Sequence, residues 1–142
     1  MIDVSAGVPG VNAPEPTSFE EFWPFYVSQH LHPSTRRCHA LGVGLGLTSL
    51  ALAVVTGTLW MALGLPLFAY GFAVPAHYVW EKNRPALLGG RRAFVWAIGS
   101  DARQFVRFCT GRLEGDVQAV RAGLGLAPYQ VTLADAAVRQ PA

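Results

Sequence analysis

Charged side chains are scarce in this chain of 142 residues: 14% are Asp, Glu, Lys or Arg, whereas 51% are hydrophobic. A soluble domain carries about 25% charged residues, so this chain has too few to cover an ordinary globular surface. The stretch from Cys38 to Val79 contains no charged side chain. The net charge of +2 is too small to indicate a nucleic-acid partner. The composition therefore predicts a membrane protein.

Cysteine and the familiar catalytic motifs are equally sparse. Cys38 and Cys109 form no CxxC pair, which excludes a disulfide framework and predicts two free thiols. The chain has no GxSxG elbow and no P-loop, so neither a serine hydrolase nor a nucleotide phosphate site is indicated. Gly42, Gly44 and Gly46 do not form a dinucleotide loop, because no strand precedes them and no suitably placed acidic residue follows.

The uncharged stretch is about twice as long as one membrane crossing, which needs about 20 apolar residues. Thr56-Gly57-Thr58 is the polar interruption near its middle. The sequence therefore predicts a hairpin of two transmembrane helices, at about residues 38–55 and 59–80. A soluble helical hairpin buried in a larger core is the alternative.

Helix geometry places two histidines of this hairpin at one membrane face. From His39 to Gly57 there are eighteen residue steps, or about 27 Å of helix. From Gly57 to His77 there are twenty steps, or about 30 Å. The two histidines are therefore expected at nearly the same depth. Positive charges flank only the open end of the hairpin, so both termini are expected in the cytoplasm. The basic residues at this end are Arg36, Arg37, Lys82, Arg84, Arg91 and Arg92.

Two amphipathic helices are predicted beside the hairpin, which makes the fold class all-α. Ser18 and Glu21 form a capping-box pattern. Pro24 should kink or restart this first helix, which suits either an interfacial position or packing on the protein itself. Pro33 is expected to end it and to leave residues 34–37 as a connector. The second helix has a continuous apolar stripe of Phe94, Val95, Ile98, Ala102, Phe105, Val106 and Cys109.

The chain is expected to divide into three parts. Residues 1–17 carry Asp3 and no Lys or Arg, which argues against a signal peptide, and they predict a flexible leader. Residues 18–112 predict one membrane-embedded domain. Residues 113–142 show weak periodicity and predict a short helix followed by a mobile C-terminal tail.

Small residues and prolines predict local features of the two spans. Gly42 and Gly46 form a small-residue face that allows a second helix to approach closely. Pro66 and Pro75 should kink the second span. Pro75 lies two residues before His77 and is expected to help orient that histidine.

The histidines are the remaining candidates for chemistry. His77 and Glu81 are four residues apart, so a continuous helix places them on one face. Two histidines and a carboxylate with open positions form the usual non-haem Fe(II) site, and His30 and His39 could supply further nitrogens. An ionisable group such as His77 within a span is costly and therefore indicates function. His32 is interpreted as an ordinary interfacial residue.

Lys82 and Arg84 follow Glu81 directly. The positive-inside rule alone accounts for basic residues at this place. The functional alternative is a clamp for the carboxylate of a fatty acid, since Arg binds carboxylates through two parallel hydrogen bonds.

Two sequence blocks resemble the Mpo-like membrane proteins. The first is residues 25–33, Phe-Tyr-Val-Ser-Gln-His-Leu-His-Pro, with His39 after it, and the second is residues 77–87, His-Tyr-Val-Trp-Glu-Lys-Asn-Arg-Pro-Ala-Leu. The resemblance covers about residues 18–112. The chain departs from it at Ala76, where the family usually has Gly, and in having a single hairpin where fungal members have further hydrophobic segments.

The resemblance implies a non-haem Fe(II)-dependent dioxygenase that converts a 2-hydroxy fatty acid to an acid one carbon shorter by α-oxidation. It implies that His30, His39 and His77 bind the iron, with Glu81, Lys82 and Arg84 in the motif around the last histidine. O2 and a membrane lipid acid would be the other partners, and a homo-oligomer is expected because one hairpin is a thin scaffold. Two alternatives remain: a non-enzymatic hairpin with a structural metal site, and a haem protein with two axial histidines.

Overall fold

The computed structural model describes residues 16–128 and 130–137, and this part of the chain contains helices and turns without strands. The predicted all-α class is confirmed. Residues 1–15 of the predicted leader and residues 138–142 of the predicted tail lie outside the described residues. Six α-helices follow in order: α1 (Phe19–Ser28), α2 (Pro33–Thr56), α3 (Gly64–Ala76), α4 (Arg91–Cys109), α5 (Leu113–Gly123) and α6 (Leu133–Ala137).

The predicted hairpin is confirmed. Its first span is α2, and its second runs from Leu59 to Glu81 as a 3-10 turn (Leu59–Leu63), α3 and a π turn (His77–Glu81). Both spans are long and apolar enough to cross a membrane. Only 22% and 17% of their most apolar windows are buried, whereas the core helix of a soluble protein is mostly buried. The exposure therefore favours the membrane hairpin over the soluble alternative.

The expected end of a helix at Pro33 is wrong, because α2 begins there. Proline suits the first turn of a helix, where its missing N–H has no partner to lose. His32 caps the helix: its Nδ1 accepts a hydrogen bond from the backbone N–H of Ser34 at 3.1 Å. Residues 34–37 are consequently the first turn of α2 and not a connector.

The second span is also less regular than predicted. Pro66 lies in the first turn of α3, where a proline does not bend the helix because its missing N–H has no partner to lose. The irregular part of the span is the 3-10 turn before it. Pro75 lies inside α3, and the π turn begins two residues later at His77. A π turn is rare and is frequent at functional sites. The irregular turn lies where the kink at Pro75 was expected to orient His77, and the kink itself stays a prediction.

Glycines bring the two spans close together. A Cβ atom on Gly42 would lie 2.7 Å from the carbonyl oxygen of Phe68, and one on Gly46 would lie 2.9 Å from the Cα atom of Leu65. Larger residues would force α2 and α3 apart. The predicted close-packing face is confirmed, and its partner is α3 of the same chain.

Helices α1, α5 and α6 form a cap over the open end of the hairpin. Ser18 caps α1 as predicted, and the helix runs through Pro24 without a restart. Of the two environments considered for α1, packing on the protein itself is the one observed, because its apolar side chains are buried. The core of the cap comprises Phe22, Trp23, Tyr26, Val27, Leu31, Leu113, Val117 and Leu133.

The large exposed hydrophobic residues of the described chain belong to the hairpin, to α4 and to the turn before α4. Helix α4 is amphipathic as predicted, but its apolar face points outward. Val95 and Val106 are 65% and 59% exposed, whereas Ser100 and Gln104 are buried. This arrangement suits a helix whose outer face meets lipid. One side of α4 packs on α2, where Phe105 lies beside Gly44.

Candidate metal centre

Three histidines from different parts of the chain converge where the cap meets the hairpin. His30 follows α1, His39 lies in α2 and His77 begins the π turn. One ring nitrogen from each lies within 4.8 Å of the others, and all three side chains are buried. The ring centroids of His30 lie 4.5 Å from His39 and 4.6 Å from His77, and the planes are nearly perpendicular. The three nitrogens therefore face a common point.

Each imidazole is held in place through its Nδ1 atom. The partner of His30 is the carbonyl oxygen of Tyr26 at 2.6 Å, that of His39 is a carboxylate oxygen of Asp101 at 2.9 Å, and that of His77 is the amide oxygen of Asn83 at 2.8 Å. Because all three partners are acceptors, Nδ1 carries the proton in each ring. The Nε2 lone pairs are therefore free to accept a hydrogen bond or to bind a metal ion.

The Nε2 atoms of His30 and His39 are buried and have no hydrogen-bond partner. Leaving a buried polar atom without a partner costs about 1–3 kcal/mol, so the arrangement needs an explanation. Burial, with smaller contributions from His39 and His77, holds the pKa of His30 well below its usual value and keeps that ring neutral. Neutral imidazoles with free, converging Nε2 atoms fit a divalent metal ion.

Tyr26 and Asp101 form a second layer around the histidines. The Tyr26 hydroxyl donates to the same carboxylate oxygen of Asp101 that holds His39. The Tyr26 ring stacks on His30 with centroids 4.1 Å apart. Burial and, secondly, Asp101 raise the pKa of Tyr26 well above its usual value, so the phenol keeps its proton. One carboxylate thereby ties α4 to both α1 and α2.

Residues 81–85 alternate between buried and exposed positions. Glu81 is buried, but its carboxylate accepts a hydrogen bond from the backbone N–H of His32 at 2.7 Å. Lys82 and Arg84 are exposed. None of the three lines the cleft beside the histidines. The structure thus brings the histidines together and leaves Glu81, Lys82 and Arg84 apart from them, and the catalytic roles of these three remain predictions.

The buried members of this segment are the ones that serve the site. Besides holding His77, Asn83 donates to the side-chain oxygen of Gln29 at 3.0 Å, and Pro85 lines the cleft. Sequence reasoning missed Asn83 and Asp101. The signal for Asn83 was its place between two charged residues in the second block, whereas Asp101 gave no signal because its contact with His39 is tertiary.

His32, the fourth histidine, lies outside the group. It caps α2 and stacks on Trp80 with ring centroids 6.2 Å apart. Both contacts are structural, in agreement with its interpretation as an ordinary interfacial residue.

An open cleft of about 270 Å³ leads to the histidines. Its inner wall is buried. This wall consists of Tyr26, the three histidines and the small side chains of Ala73, Pro85 and Ala97. Its partly exposed residues are Tyr70, Val74, Ala86, Leu87 and Asp101. No Lys or Arg of the described residues lines it. The cleft suits a largely apolar ligand with one polar end at the histidines.

Comparison with known families gives a match over most of the chain. The family described as "2-hydroxy-palmitic acid dioxygenase Mpo1-like" matches residues 16–113. No curated protein and no solved structure matches the chain. The matched region holds both blocks of the resemblance, the three converging histidines and the residues that orient them. The chain therefore belongs to the Mpo1-like family.

Proposed function

We propose that this protein is a membrane-embedded non-haem Fe(II)-dependent dioxygenase that converts a 2-hydroxy fatty acid to the acid one carbon shorter. The observation that carries the proposal is the set of three buried histidines whose Nδ1 atoms face acceptors and which each bring one ring nitrogen within 4.8 Å of the others. The family description supplies the substrate class. In the overall conversion, the hydroxy acid and O2 give the shortened acid, carbon dioxide and water.

His30, His39 and His77 would hold the iron, which would supply the redox chemistry that lets O2 react with an organic acid. All three ligands would be neutral, and Asp101 behind His39 would balance one charge of the ion, so one positive charge would be left for the substrate to balance. A hydroxy-carboxylate would meet this need, since no Lys or Arg in the described part of the chain lines the cleft. Substrate charge would therefore be neutralised at the histidines rather than by a buried Lys or Arg.

The other residues of the site orient groups and exclude water. Asp101 and Asn83 fix the rings of His39 and His77, and Tyr26 retains a proton beside Asp101. The alanine and proline side chains of the inner wall keep the reacting end of the substrate dry. Lys82 and Arg84 are exposed close to Pro85, which lines the cleft. There they would attract anionic acids to the membrane surface.

The proposal is tested on protein purified in detergent. We expect bound iron, no Soret band, and O2 consumption with 2-hydroxy-palmitic acid but not with palmitic acid. His77→Ala should lose both iron and O2 consumption, because it removes one of three ligands. His32→Ala is the matched control: it should lose only a helix cap, about 1 kcal/mol of stability, and keep its iron.

Three results would contradict the proposal. A strong Soret band would indicate the haem alternative. Full iron content in His77→Ala would show that the site lies elsewhere. Tightly bound metal without hydroxy-acid-dependent O2 consumption would indicate the structural metal site. Because one chain supplies all three histidines, the site needs no second copy, and homo-oligomer formation stays a prediction that light scattering on the purified protein tests.

A further inference from the structure

The cleft has a deep end and a mouth of different character. At the deep end the histidines, Ala73 and Ala97 are buried. At the mouth, Tyr70 and Val74 from α3 face Ala86 and Leu87 from the turn before α4, and all four are partly exposed. A ligand whose polar end reaches the histidines therefore leaves past these four mouth residues and Asp101, the other partly exposed residue of the cleft.

The size of the cleft limits how much of a ligand it holds. The volume of about 270 Å³ includes its open side and is therefore an upper bound. At about 30 Å³ for a water-sized group, this bound corresponds to no more than about nine non-hydrogen atoms, and the enclosed part of the cleft holds only about one. A 2-hydroxy-carboxylate and its chain would reach about the sixth carbon within that space. Less than half of 2-hydroxy-palmitic acid fits inside.

The surface around the mouth is apolar and exposed. Leu67 precedes Tyr70 by one turn of α3 and is 69% exposed, Leu88 follows Leu87 and is 54% exposed, and Ile98 follows Ala97 and is 45% exposed. These side chains belong to the hairpin and to the outer face of α4, the surfaces expected to meet lipid. A chain that leaves the cleft therefore passes directly into the acyl region of a bilayer.

We infer that the cleft binds only the hydroxy-carboxylate end and at most about the first six carbons of its substrate, and that the rest of the chain stays in the bilayer. This inference rests on the proposed function for the identity of the polar end. It has two consequences. First, the turnover rate at a given substrate density in the membrane does not depend on chain length once the cleft is filled. Second, the rate falls for substrates with a branch near the hydroxyl group, because Ala73 and Ala97 leave no room there.

The first experiment locates the chain without relying on turnover. The full chain in nanodiscs of zwitterionic lipid is photolabelled with two 2-hydroxy fatty acids, one with a diazirine close to the carboxylate and one with it at the far end. We expect the near probe to label the wall of the cleft, at Ala73 and Ala97 or at the mouth residues, and the far probe to label lipid or exposed residues such as Leu67 and Ile98. A far probe attached to Ala73 or Ala97, or a near probe on the opposite side of α2, overturns the inference.

Matched variants test the wall. Ala97→Leu should reduce near-probe labelling in the cleft by about tenfold or more, because added volume in a packed wall is costly. Ala102→Leu is the control, since Ala102 is exposed on the same helix and outside the cleft. Leu87→Ala widens the mouth, and we expect it to accept acids with a branch farther along the chain, at the carbons that pass the mouth. Equal labelling in Ala97→Leu and Ala102→Leu, with no gain in Leu87→Ala, contradicts the inference even if one variant folds poorly.

The two proposals fail differently. Mouth labelling without O2 consumption would leave the binding cleft standing and contradict the dioxygenase. O2 consumption that rises steadily with chain length, at equal substrate density in the membrane, would keep the dioxygenase and contradict the short cleft.

Discussion

At His39 a single carboxylate decides which ring nitrogen faces the cleft. Asp101 accepts from Nδ1, so Nε2 is left as the donor to a metal. The two other histidines use a carbonyl and an amide oxygen for the same purpose. Asp101 is the only charged group among these three hydrogen-bond acceptors. An anion behind an imidazole makes the ring a stronger metal ligand.

We expect Asp101→Ala to lower metal affinity by about 10–100-fold, the usual effect of removing a group that orients a ligand. Asp101→Asn keeps an acceptor oxygen and should lose less, because geometry is retained and only the charge is removed. The measurement is a cobalt titration followed by its visible absorption, together with the ¹⁵N NMR signal that reports the tautomer of His39.

Asp116→Ala is the control for this series, since Asp116 pairs with Arg107 and does not line the cleft. If Asp101→Ala binds cobalt as tightly as the parent protein, with an unchanged His39 tautomer, the assigned role of the carboxylate is wrong.

At the level of the helices, closeness of α2 and α3 keeps His39 beside His77. This closeness depends on glycine, because a Cβ atom on Gly46 would meet the backbone of Leu65 at 2.9 Å. Backbone atoms cannot move aside as a flexible side chain can, so the helices themselves would have to separate.

Gly46→Ala should therefore reduce stability by about 1–3 kcal/mol, the usual cost of overpacking. Gly71→Ala is the matched change in α3, where an added Cβ meets nothing within 4 Å; it should be neutral or stabilising by about 0.5–1 kcal/mol. Unfolding in mixed micelles with increasing SDS compares the two. Equal stability of both variants would show that the close approach is not needed.

The hairpin was predictable because the absence of charge over residues 38–79 leaves few alternatives. Element boundaries were harder to predict for a physical reason: Pro33 is as suitable for the first turn of a helix as for ending the one before it. The convergence of His39 and His77 followed from helix length alone. The partners Asn83 and Asp101 did not, because packing between distant segments selects them and no local pattern records it.

The whole molecule consists of an apolar hairpin with α4 at its side and a cap with its own hydrophobic core. We propose that the cap lies in the cytoplasm, because the positive charges flank only the open end of the hairpin. In a background with Cys38 and Cys109 replaced by Ser, Thr58→Cys at the hairpin turn should react with an impermeant maleimide added from outside intact cells.

Gly115→Cys provides the comparison, because Gly115 lies in α5 of the cap with open space around it. It should react only after the cells are opened. Labelling of Gly115→Cys in intact cells, with protection of Thr58→Cys, would reverse the proposed orientation.

The bond between Asp101 and His39 also sets an order of events during biosynthesis. Asp101 follows both spans in the sequence, so the ribosome completes the hairpin and all three histidines before it makes this residue. A nascent chain that stops before α4 has its histidines but lacks the carboxylate that selects the tautomer of His39. If the site binds iron as proposed, its full affinity for the metal would arise late, once α4 has packed on the hairpin and Asp101 has met His39.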